Sequence, residues 1–127
     1  MTYNKHFSTG NYGLEAVIDF HGCDVAKATT ENLRVFLDEV IKLSDMEAHG
    51  EPIFWVDMEA TEPHLKGISV FQWIKTSNIV IHALATGLVL FNLFSCKPFD
   101  PDVIVEFGRK FWQADRVQMN VVDRGKN

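Results

Sequence analysis

The sequence predicts an α+β two-layer sandwich, an antiparallel sheet backed by two helices. Three observations lead there. Apolar residues alternate, or run in short β-rich stretches, in several segments between Leu14 and Val121. Two further segments repeat apolar residues at helical spacing. The middle β-rich stretches are joined by links too short for a crossover, so they must run antiparallel. The order is β, α, several β, α, β, which places helices among antiparallel strands.

Residues 1–12 read as a flexible lead-in. Leu14, Ala16, Ile18 and Phe20 share one face of a first strand, which His21-Gly22-Cys23-Asp24 ends. Thr29 or Thr30 then caps a helix. Leu33, Phe36, Leu37, Val40 and Ile41 form its buried stripe, and Arg34, Asp38, Glu39 and Lys42 its wet face. The helix should fade near Ser44–Glu47, before the Gly50-Glu51-Pro52 break. Ile53 to Met58 is a short strand, and the polar, Pro63-bearing stretch Glu59 to Lys66 is a loop. Gly67–Lys75, Ile79–Ala83 and Leu88–Phe94 are β-rich, separated only by Thr76–Asn78 and Leu84–Gly87. Asp100-Pro101-Asp102 starts a second helix, with Asp as cap, Pro in the first turn and acid at the positive dipole end. Val103, Ile104, Phe107 and Phe111 supply its stripe. Val117, Met119 and Val121 alternate as a last strand, before a polar tail over Asp123–Asn127.

Length and charge narrow the class. The 127 residues form one domain, 1–127, with no linker or repeat, and ten Phe and three Trp provide for a sizeable core. Net charge is −5 with no basic block, so nucleic acid is not an expected partner. Two cysteines do not make a disulfide framework. The N-terminus lacks a signal-peptide pattern, and the longest apolar run, Ile79 to Phe94, is broken by His82, Thr86 and Asn92. A reducing cytoplasm with free thiols, and no membrane, is the expectation.

The common chemical signatures are missing. There is no glycine-rich phosphate loop and no G-x-S-x-G elbow. The five scattered histidines have no metal-site spacing, so no metal is expected; His21-x-Cys23 is half a site at most. What remains is Ser77, with His82 five residues on and Cys96 nineteen on, and Ser69 upstream. Alone, each is an ordinary residue: a turn serine, a strand histidine, a small buried thiol. Together they fit either a nucleophile–base site or a chain that cuts itself to make a cofactor.

Gly22-Cys23-Asp24 after the first strand, Gly67-Ile68-Ser69, Ser77, Ile81-His82 and Phe94-Ser95-Cys96, in that order and spacing, resemble the bacterial and archaeal S-adenosylmethionine decarboxylases. No one of these motifs is specific; their order and spacing over most of the chain carry the weight. The resemblance implies a small pyruvoyl-dependent proenzyme with a helix-backed antiparallel sheet, a small-molecule substrate, a role in polyamine synthesis, and a homodimer. It implies that Ser77 attacks the carbonyl of Thr76, that the chain separates into 1–76 and 77–127, and that Ser77 becomes a pyruvoyl group. In that scheme Ser69 and His82 are the processing pair and Cys96 reprotonates the product carbon. The pyruvoyl carbonyl is the electron sink that side chains lack.

The departures bear on substrate. Thr76 stands where the family usually has Glu, and Asn78 where it has His. Ala83-Leu84-Ala85-Thr86 replaces a stretch whose acid is associated with the substrate's sugar, and Asn92 replaces another acid. The alternative substrate is therefore a basic amino acid such as ornithine or arginine, with Asp19, Asp57 or Glu59 as its carboxylate partner. A further alternative is a non-processing paralogue that only binds a partner or effector.

Overall fold

The computed structural model describes residues 10–75 and 77–125. The first alternating segment forms β1 (Gly13–His21), with Leu14, Ala16, Ile18 and Phe20 fully buried. Asp24 caps a short 3₁₀ turn at Val25–Lys27. Thr29, rather than Thr30, caps α1 (Thr30–Leu43); its hydroxyl accepts the Asn32 N–H at 3.0 Å. The stripe Leu33, Phe36, Leu37, Val40, Ile41 is buried as its spacing requires. There follow β2 (Ile53–Asp57), a 3₁₀ turn at Pro63–Leu65, β3 (Gly67–Ile74), β4 (Ser77–Leu84), β5 (Val89–Ser95), α2 (Pro101–Trp112) and β6 (Arg116–Arg124).

The sheet order is β2-β3-β4-β5-β1-β6, and every neighbouring pair is antiparallel. The expected α+β sandwich is therefore observed. α1 carries the chain from β1 across to β2 at the far edge, and α2 carries it from β5 to β6. Both helices bury their stripes in one core with the inward residues of the strands. Phe36 is its centre, meeting the rings of Phe20, Phe91, Phe107, Phe111 and Trp112. Gly108 permits the close seat of α2: a Cβ there would lie 2.3 Å from the Phe20 ring.

Three differences from the sequence expectation have physical causes. The buried line of α2 is Pro101, Ile104, Gly108 and Trp112, so Val103 is turned outward and fully buried Trp112 takes a place periodicity assigned to Phe111. β4 starts at Ser77, not Ile79, because Ser77 pairs with Ile74 in the ladder. β6 runs past Val121 to Arg124, held along β1 by pairing up to Gly13. The lead-in expected over 1–12 lies mostly outside the described residues, but Tyr12 N–H already donates to the Arg124 carbonyl at 2.8 Å.

Among the described residues no helix covers the other sheet face. It presents Ile53, Trp55 and Trp73 at 62%, 69% and 54% exposure, an apolar area left uncovered in one chain.

Candidate functional site

The β3–β4 hairpin places the serines and the histidine. Ser69 pairs directly with His82, so their side chains leave the sheet on the same side. Alternation makes it the uncovered side, and Ser69 Oγ lies 2.6 Å from His82 Nδ1. Ser77 is five residues from His82, an odd number, so its side chain leaves on the helix side with Ile79, Ile81 and Ala83. There Ser77 is 3% exposed.

The β4–β5 register ends at Asn78 opposite Phe94, which brings the residues just past β5 beside Ser77. The Cys96 N–H donates to Ser77 Oγ at 3.4 Å. Ser95 is 1% exposed; its hydroxyl accepts the Lys97 N–H at 2.9 Å and donates to the Lys97 carbonyl at 2.9 Å. Cys96, half-buried and outside any disulfide, lies between these two anchors. Thr76, the other half of the expected cleavage bond, lies outside the described residues.

The four residues thus form two pairs rather than one cluster. At a rise of about 3.3 Å per residue, Ser77 and His82 are about 17 Å apart along β4. They also face opposite sides of the sheet.

Around His82 the uncovered face dips into a depression of about 320 Å³ lined by Glu15, Val17, Asp19, Val80, Leu90 and Asn92. Asp19, Leu90, His82, Ser69 and Trp55 form one row across the strands. Asn92 donates to Glu15 at 2.6 Å, and Arg124 pairs with the same carboxylate. Among the three carboxylates named for a basic substrate, Asp19 alone lines this depression. Asp57 accepts the Glu59 and Ala60 N–H groups, each at 3.3 Å, and so caps its own loop, where Glu59 is exposed.

The remaining candidates do not gather. His21 Nε2 contacts Gln118 Oε1 at 3.2 Å, whereas Cys23 is buried against the Phe20 carbonyl. Burial pushes the Cys23 thiol up to about 11, so it is a poor nucleophile and a poor metal ligand near neutrality. Among the described residues no group of three His, Cys, Asp or Glu is placed to hold a metal ion.

Two further polar residues contribute to the site's setting. Ser95 was visible only as part of Phe94-Ser95-Cys96. Gln72 is 2% exposed, and its Nε2 donates to the carbonyls of His49, Gly50 and Trp73. It pins the segment after α1 to the end of β3, next to the turn before Ser77. Nothing in its alternation pattern marks it.

The sequence matches the family described as S-adenosylmethionine decarboxylase over residues 14–125. None of the curated proteins matches it. The fold is similar to the crystal structure of the adenosylmethionine decarboxylase from Aquifex aeolicus VF5, with a TM-score of 0.77 and 18% identity, covering 94% of this chain and 95% of that one. No helix among the described residues is long and apolar enough to cross a membrane.

Proposed function

The chain belongs to the S-adenosylmethionine decarboxylase family of carboxy-lyases, and on that premise we propose that it cuts itself before Ser77 and decarboxylates S-adenosylmethionine with the resulting pyruvoyl group. The observation that carries this is the contact between Ser77 Oγ and the Cys96 amide at the start of β4. It holds a buried serine hydroxyl against the backbone of the thiol residue, on the first residue after the bond to be cut.

The residues fit the group. Ser77 already pairs within the β3–β4 ladder, so a cut before it opens only the turn. The new terminus would stay beside Cys96. Self-cleavage would run in three stages. Ser77 Oγ bonds to the Thr76 carbonyl carbon, the Thr76–Ser77 C–N bond breaks, and the hydroxyl proton passes to the Ser77 nitrogen. His82 removes the Ser77 α-proton, and the Cβ–Oγ bond breaks, releasing 1–76 as a carboxylate. The dehydroalanine takes up water and loses ammonia, leaving pyruvoyl on 77–127. The pyruvoyl carbonyl then supplies an electron sink for decarboxylation of an amino acid.

His82 as base needs a free lone pair on Nε2. That requires its Nδ1–H to donate to Ser69 Oγ, which the 2.6 Å contact allows. After decarboxylation Cys96 is placed to deliver a proton beside residue 77. A reducing cytoplasm keeps it a thiol.

The ~17 Å between the two pairs supports an assembly of two copies. We place the site in a homodimer: Ser77 and Cys96 of one copy, Ser69 and His82 of the other. Ile53, Trp55 and Trp73 on the uncovered face supply the apolar surface that such a copy would bury.

A pyruvoyl-dependent ornithine or arginine decarboxylase is the second reading. Asp19 beside His82 favours it, as does the absence of a carboxylate from 83–86. Denaturing mass spectrometry and carbon dioxide release from S-adenosylmethionine, ornithine and arginine, run side by side, test both. Fragments 1–76 and 77–127 with release from S-adenosylmethionine are expected. Release from ornithine or arginine only would transfer the assignment. A single intact 127-residue chain would leave the non-catalytic binding paralogue.

A further inference from the structure

We propose that Ser95 is a positioning residue for self-cleavage, acting through the Cys96 backbone amide; this rests on the reading that the chain cuts before Ser77. Ser95 is the last residue of β5 and is 1% exposed. Its hydroxyl makes two hydrogen bonds to one residue, accepting the Lys97 N–H and donating to the Lys97 carbonyl, both at 2.9 Å. Those bonds close residues 95–97 into a tight loop with Cys96 at its apex. The N–H at that apex points at Ser77 Oγ.

The consequence is orientational. A serine hydroxyl rotates freely unless a donor fixes one lone pair. With the Cys96 N–H on one lone pair, the other lone pair and the O–H lose much of their rotational freedom before the attack. The affected step is the first: Oγ bonds to the Thr76 carbon, the C–N bond breaks and the proton moves to the Ser77 nitrogen. The later proton removal by His82 does not involve this loop. Ser95 and His82 therefore govern different steps, and the species that accumulates identifies which one is slow. A block at the first step leaves an amide at residue 76. A block at elimination leaves an ester, which hydroxylamine cuts and an amide resists.

The test follows self-cleavage of freshly refolded full-length chains by denaturing mass spectrometry, with and without neutral hydroxylamine. Ser95→Ala and the near-isosteric Ser95→Cys should both cleave about tenfold more slowly, the loss of one orienting hydrogen bond. Ser95→Thr keeps both bonds and should restore the rate. The uncut Ser95→Ala chain should resist hydroxylamine, whereas uncut His82→Ala should be cut between residues 76 and 77. Melting curves identify the variants that fold, and Ser95→Cys carries the test if Ser95→Ala does not. Wild-type cleavage rates in the folded variants, or hydroxylamine cutting of their uncut chains, overturn the inference alone. An intact wild-type chain overturns the self-cleavage reading and this inference with it.

Discussion

The separation of the two residue pairs makes a complementation experiment decisive. Ser77→Ala keeps Ser69 and His82 but has no nucleophile. His82→Ala keeps Ser77 and Cys96 but has no base. Alone, Ser77→Ala should never cleave, and His82→Ala should be slowed about 10²–10⁴-fold, the usual worth of a positioned general base. If both pairs had to meet within one chain, about 17 Å of strand and the sheet itself would have to be crossed. No side chain reaches that far. Across the proposed two-fold axis the span along the strand vanishes, because each site would draw one pair from each copy. Co-expressed in equal amounts, the variants should pair at random, placing about half of the His82→Ala chains opposite a Ser77→Ala partner. That half should cleave at the wild-type rate and the rest should not. Denaturing mass spectrometry distinguishes the fragments, since only the His82→Ala chain can be cut. Mixed assemblies that form yet show no fast phase would refute the two-copy site.

Further predictions follow from individual contacts. Trp55→Asp together with Trp73→Asp puts charge on the uncovered face and should convert the proposed dimer to monomers by light scattering, with cleavage lost in parallel. Gln72→Leu leaves the His49 and Gly50 carbonyls without their partner; it should cost about 1–3 kcal/mol, read from the urea midpoint. Cys23 is raised from 9.0 to about 11 by burial, so its thiolate is disfavoured in the folded state. The stability it confers is complete below pH 9 and is lost as pH rises from about 9 to 11. The melting temperature should fall more steeply over that window in wild type than in Cys23→Ala.

Much of the architecture was legible because it is written in periodicity. The stripe of α1 and the alternation in β1 needed no tertiary information. The short links 76–78 and 84–87 left only antiparallel pairing for the middle strands. The rotation of α2 was not legible, because Phe107, Phe111 and Trp112 are all apolar and only packing against Phe20 across Gly108 decides which turns inward. For the site, residue identity was legible through the family resemblance and geometry was not. The parity of five residues between Ser77 and His82 does put them on opposite faces, but that inference needs β4 to begin at Ser77. Sequence pattern started the strand at Ile79, because Ser77 and Asn78 are turn formers whose strand conformation is imposed by pairing with Ile74 and Trp73.

Sheet order also explains how the protein would survive its own cutting. The segment 1–76 holds β1, β2 and β3, and the segment 77–127 holds β4, β5 and β6. In the sheet they interleave: β1 lies between β5 and β6, and β3 lies against β4. After a cut before Ser77, β1 has both of its ladder partners in the other fragment. So does the core, since Phe36 from the first fragment packs on Phe91, Phe107, Phe111 and Trp112 from the second. Neither fragment can complete a sheet or bury its aromatic residues alone. The two should therefore co-elute natively after cleavage and part only in denaturant. Separated in urea and refolded singly, each should lack a cooperative thermal transition, and mixing them should restore one. A fragment 77–127 that folds cooperatively alone would refute this, because β5 and β6 would then have closed without the strand that lies between them.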